Sequence, residues 1–253
     1  MQEFKSMKDQ MHLAAQYLAA AAIHFVEKRD DDSHTNLGFD SDSGRMSTRP
    51  LSDNGDTLSL NYNTFALEWN SSTNVESIQL DGTSHKEILA WLTKLSQEKI
   101  GKPYTYSFHY DVPYSIADTT VFTMSDSIEL KRLLQLRIRT QTILEQALSE
   151  NNLQSEIRVW PHHFDTGAFT ALPNNPEVAV GFGLAIPDAL SQEHYLYMSG
   201  YKGHDGISTQ GFSPLKKGDW KNDDFKGAIL PADHIEVSEG VQFFKEAIHQ
   251  YKK

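Results

Sequence analysis

Glu177-Val178-Ala179-Val180-Gly181-Phe182-Gly183-Leu184-Ala185-Ile186 is followed by Pro187 and not by a helix. Side chains alternate across a strand, so Val178, Val180, Phe182, Leu184 and Ile186 share one face. Ala179, Gly181, Gly183 and Ala185 make the other face, which has almost no side chains. A dinucleotide fingerprint needs a third glycine and a helix after the strand, and both are missing. The stretch therefore predicts an antiparallel strand with one face in a core. Its bare face lets a packed helix or a ligand approach the backbone.

Outward from this strand, 155–164, 168–172 and 194–201 also read as strands. Asp126 and Glu129 open a helix to about Glu150, and Ser238 opens a last one with Val241, Phe244 and Ile248 on one stripe. The first half repeats this order. A helix from about Phe4 to Glu27 carries Met7, Met11, Ala14, Leu18, Ala21 and Phe25 at steps of three and four. A charged turn, Lys28-Arg29-Asp30-Asp31-Asp32, follows. A hairpin is predicted around Asp42-Ser43-Gly44, then one long strand over 57–69 and another over 75–80. Ser84 and Glu87 form a capping-box pattern ahead of Ile88, Leu92 and Leu95. Tyr104, Tyr106, Phe108 and Tyr110 alternate with polar residues as in a half-buried strand. The fold class is α+β, a largely antiparallel sheet with helices packed on one face. The chain is read as one compact unit over 1–253, with 1–118 and 119–253 as candidate repeated halves.

The 253 residues include no cysteine, 23 Lys+Arg and 34 Asp+Glu, for a net charge of −11. Without cysteine, a disulfide scaffold, a zinc ribbon and a thiol nucleophile are excluded. An acidic chain without a basic run is a poor match for a phosphate backbone, so no nucleic-acid partner is expected. Apolar residues 18–26 are too few to span a bilayer, and the helical stripe runs through the only signal-like cleavage pattern. A soluble, cytoplasmic protein is expected.

Chemistry concentrates in Arg158-Val159-Trp160-Pro161-His162-His163-Phe164-Asp165. On a strand the two histidines would point to opposite faces. His163 and Asp165 are the candidate catalytic pair. His162, His163 and Asp165, joined by His194, could ligate a divalent metal that acidifies a bound water. Arg158, Trp160, Tyr195, Tyr197, Gly181 and Gly183 are the candidate ligand-binding residues. Equally, the two histidines could pack against neighbours, and the tyrosines could belong to the core rim. Arg137 falls inside the apolar stripe of its helix and requires a partner, either a structural carboxylate or an anionic ligand. His34, Thr35 and Asn36 start a strand at the place in the first half that corresponds to the Trp160–Asp165 strand, so if the halves are duplicates the two segments are expected to meet across a pseudo-twofold. The segment 202–233 has no clear period and reads as an ordered loop or a lid.

Trp160, Pro161, His163, Phe164 and Asp165, with Tyr195-Leu196-Tyr197 and Trp220 to Ala228, resemble an uncharacterised bacterial family. That family carries a Trp-Pro-x-His-Phe-Asp segment and a late Trp-Asn…Phe-Gly-Ala segment. Here Lys221 separates Trp220 from Asn222. The likeness spans about 70 residues of the second half. It implies a shared fold and carries no activity with it. The function expected is small-molecule handling around this segment, as a metal-assisted hydrolase, a non-catalytic binder or a structural and interaction protein.

Overall fold

The structure is a computed structural model and describes residues 6–112 and 114–253. Phe4, the first position of the predicted helical stripe, lies outside them. The elements run α1 (Met7–Phe25), β1 (Gly38–Asp40), β2 (Arg45–Ser47), β3 (Thr57–Asn61), β4 (Ala66–Asn70), β5 (Val75–Gln79) and α2 (His85–Lys99). They continue with α3 (Ser127–Glu150), β6 (Arg158–Trp160), β7 (Asp165–Leu172), β8 (Asn175–Ala185) and β9 (Tyr195–Lys202). The last are β10 (Asp205–Gly206), β11 (Asp219–Asn222), β12 (Lys226–Pro231) and α4 (Val237–Tyr251). The fold is α+β. One antiparallel sheet is the meander β1-β2-β3-β4-β5, and the second is ordered β11-β12-β9-β8-β7-β6 with β10 beside β9. The chain divides into two units, Met1–Gln135 with Val159–Phe164, and Leu136–Arg158 with Asp165–Lys253. Among the described residues no helix is long and apolar enough to cross a membrane.

In the first unit α1 is wrapped on all sides rather than along one stripe. Leu13, Ala15, Tyr17, Ala19, Ala20 and Ala22 are as buried as Met7, Met11, Ala14, Leu18 and Ala21, whereas Phe25 at the end of the predicted stripe is only half-buried. Ser6 accepts from the Asp9 amide and caps its start. Ser84 and Glu87 make the predicted capping box of α2, whose Ile88, Leu92 and Leu95 are buried.

Two expectations change here. The long strand over 57–69 is a hairpin, β3 and β4, turning at 62–65. Asn61 starts the turn by accepting the Asn63 amide at 2.9 Å, and Phe65 ends it with a left-handed backbone (φ 50°). The turn lets Leu58 and Leu60 on β3 and Leu67 and Trp69 on β4 all be buried. The tyrosine-rich stretch 104–110 is not a strand and joins no sheet. It lies along α1, with the Tyr104 hydroxyl donating to the Tyr17 carbonyl at 3.0 Å and the Tyr110 hydroxyl to Gln16 Oε1 at 2.8 Å. Alternation of aromatic and polar residues therefore does not by itself make a sheet strand.

In the second unit the bulky face of β8 packs under α4, with Phe182 and Phe244 rings 5.1 Å apart. The segment 202–233 is not a lid. It supplies β10, β11 and β12, and β12 pairs directly with β9. Its aromatic residues close the same core, with Phe212 5.0 Å from Trp220 and 5.2 Å from Tyr251 of α4.

Candidate functional site

Pro161, His162, His163 and Phe164 form a tight turn between β6 and β7 rather than part of a strand. The Phe164 amide donates back to the Trp160 carbonyl at 2.7 Å, and Phe164 takes φ 60°. A left-handed backbone at a bulky residue costs about 1–2 kcal/mol. Packing holds it there. Phe164 is 4% exposed and stacks on the His12 ring, with centroids 4.9 Å apart and planes 6° apart. His12 Nε2 and Gln16 Nε2 both donate to the Pro161 carbonyl, at 3.0 and 2.7 Å. The carbonyl only accepts, so the proton of His12 sits on Nε2. Gln16 uses its other end to accept from Tyr110. One turn of α1 therefore fixes both the 161–164 turn and the tyrosine-rich stretch.

Leu37 and Val159, which adjoin the His34–Asn36 stretch and Trp160, form an isolated antiparallel bridge. Their amides and carbonyls exchange hydrogen bonds of 2.9 and 2.8 Å. This pairing and the 161–164 turn border a cleft of about 470 Å³. It is lined by Asp31, Asp32, Thr35, Asn36, His109, Tyr110, Trp160 and His162. The volume lies within the range of small-molecule sites. Asp32 Oδ2 is 3.3 Å from His109 Nε2. The His162 ring lies 5.4 Å from Tyr110 and 4.2 Å from His163. Burial, then the neighbouring His163 and His109, lower the His162 pKa, while Asp32 opposes the shift. His162 is thus a neutral imidazole at pH 7 with one nitrogen able to accept a proton.

The turn changes the geometry expected of the two histidines. Their rings lie side by side, His162 in the cleft wall and His163 exposed. Of the other candidate residues, Trp160 lines the cleft. Asp165, Arg158, Tyr195, Tyr197, Gly181, Gly183 and His194 belong to the second unit. There Asp165 Oδ2 accepts from the Tyr197 hydroxyl at 2.7 Å. Burial and then the Asp165 charge push the Tyr197 phenol well above its ordinary range. The Tyr195 hydroxyl donates to Asp188 at 2.7 Å, and Arg158 pairs with Glu156 at 3.0 Å. His194 Nδ1 lies 3.5 Å from Asp233. The bare face of β8 is filled by the protein itself. A Cβ at Gly181 would meet Phe169 at 3.3 Å and Tyr201 at 3.6 Å, and one at Gly183 would strike the Thr166 carbonyl at 1.9 Å. Arg137 is buried as expected and donates to the Thr166 hydroxyl at 2.6 Å. Among the described residues no group of three or more His, Asp or Glu side chains is placed to hold one metal ion.

Asp31, Asp32, His109 and Tyr110 are cleft residues that the sequence did not single out, and His12 and Gln16 are their supports. A signal existed for the last two. They stand four residues apart, on one helix face, inside an otherwise apolar run. Buried polar pairs at that spacing mark a point where something must be hydrogen-bonded.

No protein family, no curated protein and no solved structure matches this chain.

Proposed function

We propose that the protein binds a small amine-bearing molecule in the cleft beside the 161–164 turn, with Asp31, Asp32, His109 and His162 as its polar groups. The observation that carries this is the convergence of Trp160 and His162 with Asp31, Asp32, His109 and Tyr110 on one concave surface. The carboxylates favour a cation, and the Trp160 and Tyr110 rings offer it a negative face. His162, held neutral by burial, can accept a hydrogen bond from the ammonium of a bound ligand. A metal-assisted hydrolase drawing on His162, His163, Asp165 and His194 is the narrower form of the expectation, and nothing proposed here calls on a metal. The cysteine-free composition supports a cytoplasmic setting.

The test is a ligand-observed NMR screen of primary-amine fragments, with their uncharged analogues as controls. The amines are expected to bind the natural protein and to lose most of their signal with Trp160→Ala and Asp32→Asn. Amines and neutral analogues binding alike, or binding that both variants leave unchanged, would overturn the proposal.

A further inference from the structure

A second cleft, of about 920 Å³, opens within the same unit. Its walls carry five cations, Lys28, Arg29, Arg49, Lys99 and Lys102, against two carboxylates, Glu27 and Asp53. That excess of positive charge stands in a chain whose net charge is −11. The five come from three separate stretches of sequence: the end of α1, the segment after β2 and the end of α2. No basic run in the sequence announces them. Phe25, Pro50 and Ile100 add apolar surface between the charges. Lys28, Arg29 and Lys102 are exposed, so their charges face solvent and not the core. Lys99 has Glu76 at 3.3 Å, and Arg49 Nε donates to the Ser33 carbonyl at 3.3 Å. Arg29 Nη1 also donates to the Ser33 hydroxyl at 3.4 Å, and these contacts leave the cleft with an excess of cations.

We propose that this cleft binds a small polyphosphate-bearing molecule with an apolar or aromatic end. Guanidinium groups pair with phosphate oxygens through two parallel N–H donors, and lysines add point charges around them. Several cations gathered in one concavity hold a ligand with several negative charges better than one with a single charge. The apolar patches give the uncharged end a surface to cover. The volume suits a ligand of nucleotide size. This site is independent of the amine cleft and shares no lining residue with it.

The experiment is isothermal titration calorimetry of the full chain with tripolyphosphate and with ATP, in magnesium-free buffer at 50 and 200 mM NaCl. Both probes are expected to bind, ATP more tightly because its base covers the apolar patches. Both should weaken at the higher salt, as charge screening requires. The double variant Lys28→Glu/Lys102→Glu reverses two exposed charges and should weaken both probes at least about tenfold while its melting temperature stays close to that of the natural protein. Arg49→Gln, read in parallel, removes the guanidinium without reversing charge and should weaken them less. Absence of binding by either probe at millimolar concentration would overturn the proposal, as would binding that the folded double variant leaves unchanged.

Discussion

The run from Lys28 to Asp32 has two sides, and they differ in sign. Lys28 and Arg29 face a wide cleft whose walls are mainly cationic and apolar. Asp31 and Asp32, two and three residues further on, face a smaller cleft of carboxylates, imidazoles and aromatic rings. The chain reverses between them. The Asp32 amide donates to the Arg29 carbonyl at 3.1 Å, and Asp32 adopts a left-handed backbone with φ 55°. Aspartate tolerates that conformation better than most residues. A single tight turn thus sorts neighbouring opposite charges onto different surfaces. The lesson is that net charge describes an average, and a −11 chain can still gather five cations in one place.

The largest expected effect concerns what supports each cleft. The acidic cleft rests on the 161–164 turn pinned to α1, whereas the cationic cleft draws nothing from that turn. Phe164→Ala removes a buried ring stacked on His12 and should lower unfolding stability by about 3–5 kcal/mol in urea titrations. Where the variant is still folded it should lose amine binding and keep tripolyphosphate binding. Loss of both together would merge the two clefts into one system.

A crossed experiment comes next in size. Asp32→Asn should weaken a primary amine about tenfold, equivalent to about 1.4 kcal/mol, and leave tripolyphosphate untouched. Lys28→Glu/Lys102→Glu should do the reverse. The contrast in sign fails if either variant moves both ligands in the same direction.

Stability against pH gives a third, smaller effect. Burial is the main cause that lowers the pKa values of His34, His85 and His162 from 6.5. Their native forms resist protonation more than the unfolded chain does. The unfolded state therefore binds more protons as pH falls from about 6.5 toward the lower native values, and stability drops across that window. Melting temperatures should be lower at pH 5.5 than at pH 7.5, and His162→Gln should reduce the difference. Carboxylates such as Asp56 and Asp9, whose pKa values are lowered, titrate further down and leave this window to the histidines.

The smallest effect is expected at His163, which is exposed. His163→Ala should change stability by no more than about 0.5 kcal/mol. It should raise the His162 pKa, because the positive charge that His163 can carry opposes protonation of its neighbour. Imidazole NMR titration reads this directly.

Much of the architecture was legible. The bulky face of β8, the caps of α2 and α3 and the stripe of α4 follow from local periodicity and hydrogen-bond chemistry, and they sit where those rules put them. What failed did so for local reasons. Two turns, 62–65 and 161–164, end in a phenylalanine with positive φ, a position where pattern rules expect glycine. The equivalent turn after β1 has Gly44 there, and only that one was recognised as a hairpin. β11 is only four residues long, and β12 follows Asp223-Asp224 and ends on Pro231, so neither shows a clear period. The site was half legible. Trp160 and His162 stood out by type, but Asp32, His109 and Tyr110 reach them only through tertiary folding, which periodicity does not encode.

The most direct test of the amine cleft follows the side-chain resonances of His109 and His162 while tyramine is added to the natural protein and to Trp160→Ala. Saturable, parallel shifts of both histidines that vanish in the variant are the predicted result. Resonances that stay still at saturating tyramine, or that move equally in Trp160→Ala, would contradict it.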